Sequence, residues 1–284
     1  MKLIPPIAMQ TWVAGLKIVV SRCETCHKML ALRHFSARKA GIRMHDSWYC
    51  SSRCFRSAAE QEVLRLLKPA NGQAVYVARM PLGLNLISHG LLTIEQLKKV
   101  ADEQKQAGGE IGELLVRHGF VSEKQVTAIR AAEWGCPVFT IPKHTTWIGI
   151  SIPATLMRLH SMIPVHYVVR TNMLLVGFVH GVEYELLYAI EQVTGCETKP
   201  CFVTPTDFQI QMRQLEQVQG QATDNPAREI KFERPHNPAE IARILCTSGV
   251  EIEAEEAFIA RCREYLWARL KSGPKAVDLL FKAD

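Results

Sequence analysis

Apolar residues between Leu82 and Glu133 recur at a fixed interval. Shifted by 29 residues, Leu82 to Gln104 overlays Ile111 to Glu133. Leu82-Gly83 falls on Ile111-Gly112, and Leu86-Ile87 on Leu115-Val116. His89-Gly90-Leu91-Leu92-Thr93 falls on His118-Gly119-Phe120-Val121-Ser122, and Val100 on Ile129. Each copy predicts a short apolar helix stopped by a glycine, Gly90 or Gly119, because glycine takes φ > 0 without a Cβ clash. Thr93 with Gln96, and Ser122 with Gln125, form capping boxes that start the next helix. Each copy is therefore a helical hairpin with half a core, and the two copies complete one another.

Downstream the period changes. Trp134-Gly135-Cys136-Pro137 ends the last repeat helix, and Pro153 to His160 predicts a short one. Ile163 to Arg170 and Met173 to Val179 predict an antiparallel hairpin turned at Thr171-Asn172. A helix from Glu183 to Val193 ends at Gly195, Lys199 to Val203 is a strand, and Pro205 to Gln217 is a closing helix opened by Thr204 or Thr206. Before the repeat, Pro69 to Gln73 predicts a linker and Val75 to Val77 a short strand. After it, 219–238 is polar and proline-bearing, a linker that includes a short strand at Glu229 to Phe232. Asn237 caps a helix with Pro238 at its first position and Ala239 to Thr247 in its body. Glu251 to Arg263 fits helix or strand. Tyr265 to Leu270 and Ala276 to Phe281 flank Ser272-Gly273-Pro274 as a hairpin anchored by Trp267 and Phe281. The fold class expected is α+β. Its parts are a zinc-binding module at 1–70, a helical repeat at 79–135, an α/β subdomain at 136–218, a linker at 219–238 and an α/β tail at 239–284.

Composition is that of a soluble globular protein, with 48% hydrophobic and 22% charged residues. No apolar run approaches the ~20 residues that span a bilayer, and Pro5, Pro6 and Lys17 interrupt the amino-terminal apolar residues. A cytoplasmic chain without a signal peptide is the expectation. The net charge of +6 is uneven. Residues 1–68 hold twelve Lys and Arg against four acids, so the remainder is slightly acidic. That basic segment suits nucleic acid, an acidic protein surface or an anionic membrane face.

Nine cysteines in such a chain do not predict a disulfide framework. Cys136, Cys196, Cys201, Cys246 and Cys262 are expected to be small buried apolar residues. Cys23, Cys26, Cys50 and Cys54 form two close pairs separated by 23 residues, the donor set of a tetrahedral structural zinc site. His27 and His45 are alternative ligands. The first pair follows an apolar run, Leu16 to Val20, and the second opens a helix over Arg56 to Leu67. This arrangement resembles a treble-clef finger, with Trp48 and Tyr49 as a very small core that depends on the metal. Arg33, Arg38, Lys39 and Arg43 between the pairs either contact phosphate or form a solvated face.

The repeat interval, GCPVFTI, IPATLMRLHSMIPV, NMLLVGFVH and the order of the elements that follow carry a resemblance. Residues 79–218, about half the chain, resemble the amino-terminal domain of the ATPases that drive type II secretion and type IV pilus assembly, the GspE amino-terminal and MshEN type. The resemblance implies a bacterial protein in which this domain docks to a secretion or pilus component at the inner membrane. One branch of the family binds cyclic di-GMP through paired 24-residue motifs with a five-residue spacer. The matching positions here are Leu82, Gly83, Leu86, Gly90, Gln104, Gly112, Leu115 and Gly119. That branch opens each motif with arginine and ends it with glutamine. This chain has Pro81 and Glu110 at the openings and Glu133 at the second end, with Arg79 nearby.

No G-x-x-x-x-G-K-[ST] phosphate loop occurs in the sequence. His160, His166 and His180 stand beside no recognisable nucleophile motif, and Glu183 and Glu185 suit a helix start. The expected function is a non-catalytic adaptor or regulator of secretion or pilus machinery. The alternatives are a cyclic di-GMP receptor and a zinc-dependent nucleic-acid-binding regulator.

Overall fold

The computed structural model describes residues 10–13, 16–32, 41–68, 79–141, 150–221 and 227–283. In chain order the elements begin with β1 (Gln10–Val13), β2 (Leu16–Arg22), β3 (Met29–Leu32), β4 (Ile42–Met44), β5 (Ser47–Tyr49) and α1 (Ser52–Leu67). The repeat follows as α2 (Leu82–Ser88), α3 (Ile94–Ala107), α4 (Ile111–Arg117) and α5 (Glu123–Trp134). Then come α6 (Ala154–Leu159), β6 (Met162–Val168), β7 (Met173–Phe178), α7 (Tyr184–Thr194), β8 (Glu197–Phe202) and α8 (Pro205–Gln221). The last are β9 (Ala227–Phe232), α9 (Pro238–Glu251), β10 (Glu256–Cys262), β11 (Tyr265–Ser272) and β12 (Lys275–Lys282). The mixed α+β class is as expected.

The chain divides into two compact units: Met1–Asn71 with Asp224–Asp284, and Gly72–Thr223. The separate amino-terminal module (1–70) and carboxy-terminal tail (239–284) expected from the sequence are therefore one body. β4 and β5 have three residues each, too few to stand as a free hairpin. β4 instead pairs in parallel with β10, Glu256 opposite Arg43 and Ala257 opposite Met44. The six-stranded sheet runs β5-β4-β10-β11-β12-β9. α1 and α9 pack against each other over it. Their shared core joins Phe55, Ala59 and Val63 of α1 to Ile241, Ala242 and Leu245 of α9 and to Ile259, Leu266, Leu279 and Phe281 of the strands. A second, three-stranded sheet runs β1-β2-β3.

β11 and β12 are buried on both faces, so their one buried ion pair must be fully bonded. Arg269 and Asp278 are direct cross-strand partners. Arg269 Nε and Nη2 donate to the two carboxylate oxygens at 2.7 Å each, and Trp267 Nε1 donates to Oδ1 at 2.7 Å. Phe281, the other expected anchor, is also fully buried. The polar stretch at 219–238 is less of a linker than its composition predicts. α8 extends to Gln221, and β9 pairs in parallel with β12 from Ala227 onward. The ambiguous segment divides: α9 ends at Glu251, Glu253 turns at φ 52°, and β10 follows as a strand. The linker at Pro69 to Gln73 and the strand at Val75 to Val77 lie outside the described residues.

In the second unit both capping boxes form as the sequence predicts. The short helices end in matching αL caps. Gly90 (φ 69°) and Gly119 (φ 70°) donate to Ile87 O and Val116 O at 2.9 Å. Leu91 and Phe120 donate to Leu86 O and Leu115 O at 3.0 and 3.1 Å. Leu86, Leu92 and Val100 meet Leu115, Val121 and Ile129 in one core. The α/β layer has strand order β6-β7-β8, with β6 antiparallel and β8 parallel to β7. Asn172, at φ 51°, makes the expected turn. The repeat and this layer are bonded together. Arg130 Nη1 donates to Val179 O at 3.0 Å, Thr206 Oγ1 donates to Glu123 at 3.0 Å, and Val138 bridges Phe202. The boundary expected at 135/136 is thus a packed seam within one unit.

Candidate metal centre and repeat site

β2 leads into a tight turn in which Cys23 N donates to Lys28 O at 3.0 Å and His27 N to Cys23 O at 2.9 Å. Glu24 N donates to Trp48 O at 3.2 Å, tying this turn to β5. Past β5, Ser51 caps α1 by accepting from Cys54 N at 3.3 Å, which puts Cys54 in the first turn. The ligand atoms of Cys23, Cys26, Cys50 and Cys54 all lie within 4.8 Å of one another. The Cys26–Cys50 sulfurs are 3.5 Å apart and the Cys50–Cys54 sulfurs 3.8 Å. A tetrahedral ion with Zn–S bonds of about 2.3 Å sets sulfurs about 3.8 Å apart. The four thiols therefore fit a single metal ion.

Their electrostatics agree. Burial pushes the Cys23 thiol up, but backbone N–H groups of Cys26, Cys50 and Thr25 outweigh it and bring the thiol down to about 6. Cys50 is pushed up to about 12, first by its hydrogen bond to Cys26, then by burial and by Cys23 and Cys54. A bound cation would favour the thiolate form of its ligands. Cys23 and Cys54 are buried in the core shared with α9 and β10, whereas Cys26 is exposed. Neither histidine joins the cluster: His27 is exposed, and His45 Nε2 lies 3.9 Å from Glu62. Arg43 is exposed, 4.0 Å from Glu256. Arg33, Arg38 and Lys39 lie outside the described residues.

The repeat positions matched to the ligand-binding branch serve the chain itself. Leu86 and Leu115 are fully buried. A Cβ on Gly83 would stand 2.4 Å from Leu97 Cδ1, so the Leu97 side chain would have to shift to admit it. On Gly112 it would stand 2.8 Å from Glu110 Oε2 and 3.0 Å from Arg130 Nη2. Leu82 packs at the edge of the repeat core, and Gln104 Nε2 donates to Gly109 O at 2.9 Å. Gly90 and Gly119 cap their helices. Glu110, where the branch has arginine, caps α4 by accepting from Glu113 N at 3.0 Å and pairs with Arg130 Nη2. Arg130 is only 6% exposed.

Arg130 is the residue that sequence reasoning missed. A lone arginine on a helix gives no periodic signal, although its apolar neighbours Ile129 and Ala131 mark that face as buried. Arg79, noted only as a nearby cation, stacks on Trp134 with its guanidinium carbon 3.3 Å from the ring centroid. His160 Nδ1 lies 2.9 Å from Glu183 Oε2, and His166 stacks with Phe139 at 6.3 Å. Glu103 joins Arg117 and His118 across α3 and α4. Of the scattered cysteines, Cys196, Cys201 and Cys262 are buried, while Cys136 and Cys246 are partly covered. Burial pushes the Cys201 thiol up to about 12 and the Cys262 thiol up as well.

Together these elements define two units, a capped helical repeat packed on a small α/β layer and a unit that carries four clustered cysteines. No family model matches the chain. It is 26% identical over 133 residues to the type IV pilus assembly ATPase PilB of Thermus thermophilus, covering 45% of this chain and 14% of that protein. It is 28% identical over 87 residues to PilB of Myxococcus xanthus, covering 30% and 15%. The chain thus spans about a seventh of the length of these relatives. Among solved structures, MshE with cdg is 19% identical at TM-score 0.40, covering 48% of this chain and 99% of that one. The amino-terminal domain of XpsE is 15% identical at TM-score 0.37, covering 46% and 91%. The relatives matched are of the kind that the sequence resembles. No described helix is long and apolar enough to cross a membrane.

Proposed function

We propose that this chain is a non-catalytic, cytoplasmic adaptor or regulator of a type II secretion or type IV pilus machine. The Gly72–Thr223 unit docks, and the four-cysteine unit is a zinc-stabilised module of the same chain. The observation that carries this reading is the doubled, capped repeat followed by its α/β layer, in a chain similar to pilus ATPases over 133 residues. The titratable groups in that unit also favour binding over chemistry. Arg130–Glu110, His160–Glu183 and Glu103–His118 are pairings that hold elements together. Affinity purification of the full chain from its native cells should recover a secretion or pilus component at low and moderate salt. Recovery of none would count heavily against the reading.

Zinc fits the four cysteines by donor type and spacing. Metal analysis should give about one zinc per chain, lost when Cys23 and Cys50 are both changed to Ser. The same geometry argues against cyclic di-GMP, because the Glu110 carboxylate faces Arg130 where a phosphate would need a cation. Calorimetry with cyclic di-GMP should show no heat up to high micromolar concentration. Arg53 and Arg56, exposed in the first turns of α1, keep nucleic acid as a second reading for the zinc module. That reading requires a gel shift that weakens steeply with salt.

A further inference from the structure

Exposed aromatics in the Gly72–Thr223 unit line up. Tyr184 and Tyr188 lie one helical turn apart on α7 and are 59% and 63% exposed. The Tyr184 ring lies 6.4 Å from that of Trp134, at the end of α5, and Arg79 covers the Trp134 ring at 3.3 Å. Met80, next to Arg79, is also largely exposed. The buried side of α7 is complete, with Leu186, Leu187, Ala189, Ile190 and Val193 all in the core. The tyrosines are therefore not needed for folding. Exposed Tyr184, Tyr188 and Met80 next to the half-buried Trp134 have the composition of a protein-binding hot spot.

Charge around the strip narrows the occupant. α7 contains no Lys or Arg, and Glu185 is exposed on it, while Glu183 pairs with His160 and Glu191 accepts from Thr198. Glu133 precedes Trp134 on α5. Carboxylates here repel phosphate, which disfavours nucleic acid and anionic lipid. They favour a cationic partner with apolar anchors for the rings. Arg79 on Trp134 shows within the chain how a guanidinium is received by this surface.

We propose that the Trp134–Tyr184–Tyr188 strip is a docking surface for a basic amphipathic helix of a partner protein. The proposal rests on the docking role of this unit and gives it a location and a partner chemistry. The test uses the full chain and two labelled synthetic helices of about 18 residues, one of Lys and Leu and one of Glu and Leu. Fluorescence anisotropy should show saturable binding of the Lys/Leu helix and none of the Glu/Leu helix. The Tyr184→Ala/Tyr188→Ala variant should weaken Lys/Leu binding about tenfold, and Glu185→Lys should weaken it with both rings kept. Equal binding of the two helices, or unchanged binding by both variants, would overturn the surface. Purification from native cells separates this idea from the function beneath it. If the double variant recovers a pilus component as well as the unaltered chain does, the surface is wrong and the adaptor reading stands. If the unaltered chain recovers none yet binds the Lys/Leu helix selectively, the surface stands and the adaptor reading falls.

Discussion

Lys98, Ala101, Asp102 and Lys105 on α3 occupy the same repeat positions as Thr127, Arg130, Ala131 and Trp134 on α5. In the first set Lys98, Asp102 and Lys105 face water and Ala101 is half-buried, with Lys105 and Asp102 3.5 Å apart on the surface. In the second set Thr127, Arg130 and Ala131 are buried, and Trp134 reaches Phe202 of the α/β layer at 6.5 Å. The inward positions of both copies are nevertheless interchangeable apolar residues, and the capping boxes of α3 and α5 and the glycine ends of α2 and α4 match. A duplicated hairpin has thus kept the half of each copy that makes the shared core. The outer halves have diverged according to what lies against them.

That comparison can be broken in order of effect. Leu86→Ala and Leu115→Ala should each destabilise the unit by about 2–5 kcal/mol in denaturant unfolding. A loss confined to Leu115→Ala would mean that the first copy is an appendage. Arg130→Met should cost about 2–3 kcal/mol, because it strands the Glu110 carboxylate and Val179 O. The converse change, Ala101→Arg, should stay within about 0.5 kcal/mol. Thr93→Ala and Ser122→Ala should cost about 1 kcal/mol each, and equally, if the two capping boxes do the same work. Smallest of all, Asp102→Ala should change the unfolding free energy by no more than about 0.5 kcal/mol.

The repeat was legible because everything that makes it is local. A glycine cap, a hydroxyl three residues on and a glutamine three further act within one turn of chain. The cysteine cluster was legible for the same reason, since metal ligands must come in close pairs. The union of the amino- and carboxy-terminal segments was not. It depends on three-residue β4 pairing with β10 about 210 residues later, and Ile42 and Met44 carry no sign of so distant a partner. Arg130 was illegible in another way. Its charge predicts solvent, and partners distant in the chain, the Glu110 carboxylate, the Val179 carbonyl and His180 Nδ1, make its burial tolerable. The sequence marks Glu110 only as a departure from the arginine of the ligand-binding branch, while its role as helix cap and arginine partner appears in three dimensions.

The interleaving of the two units has a consequence for synthesis. The cysteines leave the ribosome first, yet α9 and β10, which complete the core around them, come last. At ~5–20 residues per second, the inserted Gly72–Thr223 segment takes roughly 8–30 s to be made. Throughout that interval the zinc ion proposed above would be what organises the thiols, while the repeat can already fold. Zinc supply during translation should therefore govern the yield of the outer unit more than that of the inner one.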